Sequence, residues 1–183
     1  MRIKLPPAAL VLLVGPAGSG KTTFARAHFR PSQVVSSDFC RALVADDEDD
    51  QSASPAAFEV LHLVVRHRLR RRRLTVVDAT NVDPDQRRQA LRLARGASAP
   101  VVALIFDLPE ELCVERDRAR PGRSVGPAVI HVQRQRMLRW LPTMDREGFT
   151  AIYRFGSAAE VNCATIDRPP LRPFGLPPPG GGR

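Results

Sequence analysis

One short segment near the start of the chain constrains its fold more than any other feature. Residues 15–22 read Gly-Pro-Ala-Gly-Ser-Gly-Lys-Thr, which fits the pattern G-x-x-x-x-G-K-[ST]. An apolar run over residues 8–14 precedes it and is typical of a buried strand, and residues 22–29 have the character of a helix that Pro31 ends. Strand, glycine-rich loop and helix are the context in which this motif binds phosphate. The sequence therefore predicts a P-loop.

The residues of the predicted P-loop divide into two chemical roles. The glycines allow backbone with positive φ, so that main-chain N–H groups turn inward around phosphate oxygens at the positive end of the following helix. Lys21 is expected to neutralise the β- and γ-phosphates, and the Thr22 hydroxyl to ligate Mg²⁺ or Mn²⁺. The expected nucleotide-binding residues of this segment are Gly15, Gly18, Ser19, Gly20, Lys21, Thr22 and Thr23.

The rest of the chain alternates between short apolar runs and segments of helical character. Strands are expected over residues 33–36, 74–77, 100–106 and 151–155, with helices between them. This alternation predicts an α/β fold with a doubly wound, mainly parallel sheet and helices on both faces. Residues 3–5 are expected to form a short edge strand. Asp83 and Pro84 are expected to cap and begin a helix that Gly96 closes.

Length and composition indicate how many domains the chain can form and in what cellular environment it works. With 183 residues, 43% of them hydrophobic, the chain can bury one substantial core, and residues 1–167 are assigned to a single domain. Its three cysteines are odd in number and form no C-x-x-C pair, which argues against a disulfide framework or a zinc site. A soluble cytoplasmic protein is expected, because no stretch approaches membrane-spanning length. The net charge of +9 favours a polyanionic partner such as nucleic acid.

Two aspartates are candidates for chemistry at the P-loop edge of the sheet. Asp38 and Asp78 each follow a predicted strand, and ligands of a doubly wound sheet bind beyond the carboxyl ends of its strands. A carboxylate there can ligate Mg²⁺, directly or through water, or accept the proton of an attacking hydroxyl. The alternative for each is a helix cap or a loop ion pair. Arg41 favours the functional interpretation of Asp38, because it follows three residues later on a helical turn.

Three arginines suggest a mobile lid over the phosphates. Arg116 and Arg120 are four residues apart on a predicted helix that begins after Pro109, and Arg123 follows just past its end. Residues at this spacing share a helical face, so their guanidinium groups can reach one triphosphate. Acidic neighbours interleave with these arginines, so the alternative is a solvated helix with surface ion pairs.

Four segments carry a family resemblance. Residues 34–41 read Val-Val-Ser-Ser-Asp-Phe-Cys-Arg, residues 46–51 are Asp-Asp-Glu-Asp-Asp-Gln, residues 74–82 end in Asp-Ala-Thr-Asn-Val, and residues 115–120 fit Glu-Arg-x-x-x-Arg. With the P-loop, they resemble the N-terminal kinase domain of the bacterial polynucleotide kinase-phosphatase of RNA repair, in the P-loop 5′-OH polynucleotide kinase family.

This resemblance implies an activity and a role for each candidate residue. It implies transfer of the γ-phosphate of ATP or another NTP to a 5′-OH end of RNA or DNA. Asp38 would be the general base, and Arg41 would bind the phosphate on the 3′ side of the acceptor nucleoside. Gln51 and Val129 would flank the first acceptor base. The implied catalytic residues are Lys21, Asp38, Arg41 and Arg116, with Arg120 and Arg123 also clamping the donor phosphates.

The resemblance also suggests a role for the last segment of the chain, residues 168–183. Residues 168–183 are rich in proline and glycine, a composition typical of a linker. In the family, phosphatase and ligase-like domains follow the kinase, so such domains are expected after this linker. A disordered tail is the alternative.

Two other functions are open on sequence grounds. The first is a small-molecule kinase on the same scaffold, with a sugar or nucleoside as acceptor. The second is a nucleotide-sensing regulatory domain that transfers nothing. The presence of Asp38 beside a complete P-loop argues against a sensor, because nucleotide binding alone requires no general base.

Overall fold

The computed structural model describes residues 1–121 and 124–168, and within them the expected α/β fold is confirmed. The strands are β1 Arg2–Lys4, β2 Leu10–Val14, β3 Val34–Ser36, β4 Thr75–Asp78, β5 Val101–Phe106, β6 Ala151–Phe155 and β7 Thr165–Asp167. The α-helices are α1 Lys21–His28, α2 Ser37–Ala45, α3 Ser54–Arg70, α4 Pro84–Arg95, α5 Glu110–Arg118, α6 Pro127–Trp140 and α7 Ala158–Asn162. Short 3₁₀ helices span Pro31–Gln33, Gln51–Ala53 and Leu141–Glu147.

Five parallel strands form the main sheet in the order β3-β4-β2-β5-β6. The strand before the P-loop, β2, therefore lies at the centre. The register pairs Asp78 with Leu13 of β2 and with Ser36 of β3, and it pairs Val14 with Ile105 of β5. The carboxyl ends of these strands consequently meet at one edge, where ligands of such sheets bind.

Helices cover both faces of this sheet, which explains why every residue of β2 is buried. Side chains of a strand alternate between faces. One set, including Leu10 and Leu12, packs with residues of α3 and α4, whereas Val11 and Leu13 pack with Phe24 of α1.

The short strand expected near the N-terminus is present, but it lies outside the main sheet. Instead, β1 pairs in parallel with β7 in a separate two-stranded sheet, with Ile3 opposite Ile166. Ile3 is fully buried in the core on the α1 face. The sequence analysis predicted neither α7 nor β7, because both are short and have weak periodicity.

The ends of α4 lie where the sequence predicts them. Asp83 is the N-cap residue, Pro84 begins the helix and Gly96 is its C-cap, but the Asp83 side chain makes no capping hydrogen bond. Its Oδ2 atom instead accepts a 3.2 Å hydrogen bond from Arg136 of α6. The Asp83 carboxylate therefore links α4 to α6 and does not bond to the N–H groups of its own helix.

Two expectations fall partly or wholly outside the described residues. Arg123 and residues 169–183 of the proposed linker are not among them. Of the helices that the structure does describe, none is both long and apolar enough to cross a lipid bilayer.

Candidate active site

The loop between β2 and α1 has the backbone that its glycines predict. Gly18 and Gly20 have φ values of +72° and +92°, in the left-handed region, and Gly20 is the N-cap of α1. A Cβ atom on Gly18 would overlap the carbonyl oxygen of Cys113 in α5. Position 18 therefore requires glycine both for its backbone conformation and for the contact with α5.

Lys21 lies across this loop and is buried. Its Nζ atom donates hydrogen bonds to the Pro16 carbonyl at 2.7 Å and to Ser19 Oγ at 3.3 Å. Burial lowers the pKa of Lys21 to about 8, against an opposing effect of the Asp78 carboxylate. The loop thus presents an ammonium group whose protonation becomes incomplete at mildly alkaline pH.

Thr22 and Asp78 form the part of the site that suits a metal ion. Asp78 is the last residue of β4 and is buried. Burial raises the pKa of Asp78, whereas the Lys21 charge and a hydrogen bond from the Thr22 side chain act in the opposite direction. Hydroxyl and carboxylate oxygens are ligands that Mg²⁺ accepts, so the pair fits this ion.

These two residues would hold such an ion only together with other ligands. Within residues 1–121 and 124–168, no group of three or more His, Cys, Asp or Glu side chains could hold a metal. Mg²⁺ commonly binds through one or two protein oxygens, with substrate phosphates and water completing its shell. The donor set here fits that mode.

The segment after β4 is fastened to the P-loop strand by hydrogen bonds. The Gly15 N–H donates to the Thr80 carbonyl at 2.9 Å, and Asn81 Nδ2 donates to the Leu13 carbonyl at 2.7 Å. Arg87, fully buried, donates to the Asn81 carbonyl and forms a two-point ion pair with Glu147. These contacts fix the position of the strand end that carries Asp78.

Asp38 and Arg41 lie together at the start of α2. The Ser36 hydroxyl caps this helix by accepting from the Phe39 N–H, which places Asp38 in the first turn. Arg41, whose side chain is 6% exposed, forms an ion pair with Asp38 and donates through Nε to the Glu48 carbonyl at 2.8 Å.

Asp38 also lies close enough to the P-loop to act on its charges. Burial is the main influence on the pKa values of Lys21 and Asp78, and the negative charge of Asp38 contributes to both. The structure therefore brings Lys21, Asp38 and Asp78 into one electrostatic site.

The arginines expected to form a lid occupy different positions. Arg116 lies over the loop, since its Nη1 atom is 3.5 Å from the position that a Cβ atom on Gly20 would take. Helix α5 ends at Arg118, so Arg120 lies in the turn beyond it and not on a shared helical face, which corrects that expectation. An Arg120 Nη atom is 3.8 Å from Glu48 Oε1.

The turn after α5 is organised by a buried aspartate instead of a solvated ion pair. Asp117 is 3% exposed and accepts hydrogen bonds from the Ser124 hydroxyl and from the N–H groups of Val125 and Gly126. Although burial opposes it, this set of donors lowers the pKa of Asp117. The carboxylate therefore stays ionised and fixes the entry to α6.

The two residues expected beside the acceptor base are both exposed. Gln51 lies in a 3₁₀ helix, where its amide donates to the Asp49 carbonyl at 3.3 Å, and Val129 lies in the first turn of α6 with 43% exposure. Their arrangement on either side of a base stays a prediction.

Sequence analysis missed several polar residues next to the P-loop. Gln133 of α6 accepts a 2.8 Å hydrogen bond from the Ala17 N–H. Asp107 follows β5 and forms ion pairs with Arg134 and Arg154. Asp107 carried the same signal as Asp78, a carboxylate directly after an apolar strand, whereas no sequence pattern distinguishes Gln133.

With this geometry established, comparisons with known proteins identify the family. The model of the AAA_33 family, described as an AAA domain, matches residues 10–143, which include the P-loop, Asp38, Asp78 and Arg116. The chain belongs to the AAA_33 family. Its fold is that of the P-loop kinases.

Comparison with solved structures shows which other proteins have a similar fold to this AAA_33 domain. A chain of the Pnkp1/Rnl/Hen1 RNA repair complex matches with a TM-score of 0.66 and 25% identity, over 78% of this chain and 46% of that chain. This match confirms the resemblance indicated by the sequence motifs. A gluconokinase from Sinorhizobium meliloti matches with a TM-score of 0.52 and 18% identity, over 86% of this chain and 87% of that chain, and shares the fold alone.

A curated relative is much longer than this AAA_33 chain. Transcription factor bHLH140 from Arabidopsis thaliana is 30% identical over 175 residues, which are 93% of this chain. The chain spans only 18% of that relative's length and less than half of the matching chain in the RNA repair complex.

Proposed function

We propose that this domain is a Mg²⁺-dependent polynucleotide 5′-hydroxyl kinase that transfers the γ-phosphate of ATP or another NTP to 5′-OH ends of RNA or DNA. One observation carries the proposal: Asp38, paired with Arg41, lies in the first turn of the helix after β3, whose last residue pairs with Asp78 at the sheet edge that holds the P-loop. A phosphotransferase needs this combination of a phosphate site and a proton acceptor.

The donor side relies on positioning and charge neutralisation. The N–H groups of the P-loop and the start of α1 would bind the phosphates, with Lys21 on the β- and γ-phosphates. Arg116, over Gly20, would neutralise charge that develops during transfer. Thr22 and Asp78 would hold Mg²⁺, which when bound neutralises phosphate charge and aligns the transferring group.

The acceptor side relies on Asp38. Its carboxylate would take the proton of the 5′-hydroxyl as the bond between that oxygen and the γ-phosphorus forms. The bond from the γ-phosphorus to the bridging oxygen of the donor breaks, and a nucleoside diphosphate leaves. The ion pair with Arg41 orients the Asp38 carboxylate for this step.

The choice of a polynucleotide acceptor has two supports. Arg41 is a buried cation beside the proposed base, suited to the phosphate on the 3′ side of a 5′-terminal nucleoside. The net charge of +9 favours a polyanionic acceptor, and the likeness to a chain of an RNA repair complex agrees with it. Phosphatase and ligase-like domains attached through residues 168–183, and a cytoplasmic location, are part of the same proposal.

The direct test is transfer from γ-labelled ATP with Mg²⁺ to a short 5′-OH oligonucleotide. A matched 5′-phosphate oligonucleotide, which lacks the acceptor hydroxyl, is the negative control, and free nucleosides and gluconate serve as alternative acceptors. Label on the 5′-OH strand alone would support the proposal. Label on a nucleoside or on gluconate would establish a small-molecule kinase, and tight ATP binding without transfer would indicate a nucleotide sensor.

A further inference from the structure

The positive charge of the chain is concentrated in two segments to which the proposed reaction gives no role. Residues 60–77 and 86–106 contain ten arginines and no Asp or Glu. The rest of the chain holds the other 18 of its 28 Lys and Arg residues and all 19 Asp and Glu residues, which gives it a net charge of −1. The net charge of +9 therefore comes from these two segments.

The two segments meet at the edge of the sheet opposite the P-loop. The first contains most of α3 and leads into β4, and the second contains most of α4 and leads into β5. Both helices pack on the same face of the sheet, with Leu61 and Val65 of α3 and Leu91 of α4 in one core cluster. Because the strands are parallel and the P-loop follows the carboxyl end of β2, helices that end just before β4 and β5 end at the opposite edge.

Arginines of the two helices lie next to each other. A spacing of four residues places His62, Arg66 and Arg70 along one stripe of α3. Burial lowers the pKa of His62, and the charge of Arg92 in α4 lowers it further, so Arg92 is close to this stripe. The two helices therefore present their positive charges to the same surface.

Most of these charges have no acidic partner in the protein. Arg87 and Arg88 are each paired with a carboxylate. Six other arginines are exposed and form no ion pair with an acidic side chain among residues 1–121 and 124–168: Arg66, Arg70, Arg71, Arg72, Arg92 and Arg95. These six form the α3–α4 basic face. Like charges that are held together in this way repel each other, so a polyanion that neutralises them is bound favourably.

The chemistry of the basic face favours nucleic acid over a lipid surface. Guanidinium groups bind phosphate oxygens in a two-point geometry, and exposed guanidinium groups spread over two helices suit a chain of regularly spaced phosphates. A helix that enters a membrane interface needs a broad apolar face. Within α3 and α4, the exposed large apolar side chains are Leu63 and Val64 alone.

Helix α3 connects the basic face to the proposed acceptor site. The 3₁₀ helix Gln51–Ala53, whose first residue is expected beside the acceptor base, leads directly into α3. With 17 residues at a rise of 1.5 Å each, α3 is about 25 Å long. Phosphates of a stacked strand are about 3.4 Å apart, so roughly seven nucleotides cover this distance.

We propose that the α3–α4 basic face binds the sugar-phosphate backbone of the nucleic acid acceptor, several nucleotides from the 5′ end that occupies the active site. The inference rests on the proposed polynucleotide kinase function. It implies that the kinase prefers acceptors long enough to reach from Asp38 to this face, and that this preference weakens as salt is added.

The first test compares 5′-OH oligonucleotides of 3 and 15 nucleotides with the same 5′-terminal sequence. We expect the wild-type domain to have a KM about tenfold or more lower for the 15-mer than for the 3-mer at 0.1 M salt, with the ratio approaching one at 0.5 M salt. Fluorescence anisotropy of a 3′-labelled 5′-phosphate 15-mer, which cannot be phosphorylated, measures binding without the reaction.

A variant that carries Arg66→Gln, Arg70→Gln and Arg92→Gln locates the effect. Each phosphate contact with a single strand contributes about 0.7 to the slope of log K against log salt concentration, so this slope should decrease in magnitude by about 2. The same contacts account for a loss of about 10–100-fold in affinity for the 15-mer at 0.1 M salt. The KM for the 3-mer and the affinity for ATP should not change.

The matched control removes the same number of exposed charges outside the basic face. It carries Lys4→Gln in β1, Arg118→Gln in α5 and Arg139→Gln in α6. We expect its affinity for the 15-mer to stay within about twofold of wild type. An equal loss in the two variants would overturn the proposal, because net charge alone would then explain the binding.

The remaining outcomes separate this proposal from the proposed function. Transfer to both oligonucleotides with equal KM values in the wild-type domain would overturn the role of the basic face alone. The absence of transfer to either length would overturn the proposed function and, with it, the assignment of the face to an acceptor. Binding of phosphatidylserine vesicles without binding of the 15-mer would assign the face to lipid. The wild-type comparisons do not depend on the folding of any variant.

Discussion

Gly18 of the P-loop packs against the backbone carbonyl of Cys113 in α5, with no side chain between them. The loop that would bind phosphate and the helix that carries Arg116 therefore touch through their backbones. Any side chain at position 18 would separate them and would also have to adopt left-handed backbone.

We expect Gly18→Ala to abolish nucleotide binding and to destabilise the fold by about 2–4 kcal/mol, the sum of backbone strain and overpacking. Thermal unfolding with and without ATP measures both effects. Gly96→Ala is the matched control, because φ there is −63° and a Cβ atom would have ordinary contacts. An equal loss of stability in both variants would refute the argument from the Cys113 contact.

The buried ion pair between Arg87 and Glu147 predicts a large effect on stability. Arg87→Leu would leave the Glu147 carboxylate, 14% exposed, without its partner and would remove the donor to the Asn81 and Val82 carbonyls. Breaking such a pair from one side costs about 3–5 kcal/mol. Urea unfolding measures the change in the free energy of unfolding.

The neighbouring residue supplies the control for this prediction. Arg88 pairs with Asp85 on the surface, where the two side chains are 62% and 82% exposed. Arg88→Leu should therefore change stability by no more than about 0.5 kcal/mol. Similar losses in the two variants would show that the burial of Arg87 is not the cause.

Nucleotide affinity should depend on pH through Lys21. Burial lowers the pKa of Lys21 to about 8, and phosphate binding requires its charged form, so the bound state has the higher pKa. Below pH 8 the lysine is already protonated and affinity stays constant. Above pH 8 a proton must be taken up on binding, and affinity should fall about tenfold per pH unit.

A fluorescent nucleotide titrated between pH 7 and 9.5 measures this dependence. Of the other groups that act on Lys21, Cys113 has a thiol whose pKa burial raises above its usual value, so it titrates later. Lys21→Arg should bind more weakly but with a flat profile, since a guanidinium remains charged. An unchanged slope in this variant would assign the pH dependence to another group.

Asp38→Asn should remove phosphate transfer while leaving nucleotide affinity within about twofold. The amide cannot accept the proton of the attacking hydroxyl, and a well-placed general base contributes about 10²–10⁴-fold to the rate. Labelled transfer and ATP titration on the same preparation separate the two effects. Transfer at the wild-type rate would exclude Asp38 as the base.

Arg41→Ala should affect the acceptor more than the donor. Because Arg41 is paired with Asp38, the proposed base on the acceptor side, its loss should raise the KM for a 5′-OH oligonucleotide and lower kcat, with ATP affinity nearly unchanged. Steady-state kinetics with each substrate varied in turn measures kcat and the separate KM values for the oligonucleotide and for ATP. A raised KM for ATP alone would contradict an acceptor role for Arg41.

The fold and the phosphate loop were predictable because both depend on local sequence. The alternation of apolar runs and helical segments predicted the parallel sheet, and the glycine spacing around Lys21 predicted the phosphate loop. The position of Asp78 followed from the rule that parallel strands end at one edge.

The missed features depend on contacts between residues that are far apart in the chain. Arg87 is one arginine in a basic helix, and only its pairing with Glu147, 60 residues later, makes it a buried structural residue. Gln133 acquires its role from Ala17, 116 residues earlier. Periodicity and motif spacing report on neighbours in sequence, so they carry no information about such pairs.

The pairing of β1 with β7 has a consequence for how the chain matures during synthesis. Residues 2–4 find their partner strand only at residues 165–167, so they are synthesised long before the strand with which they pair. Until β7 has been synthesised, the core residue Ile3 cannot be fully buried, because part of the surface that packs against it is absent. Because contacts this distant in sequence form slowly, the nascent domain closes as a unit and late.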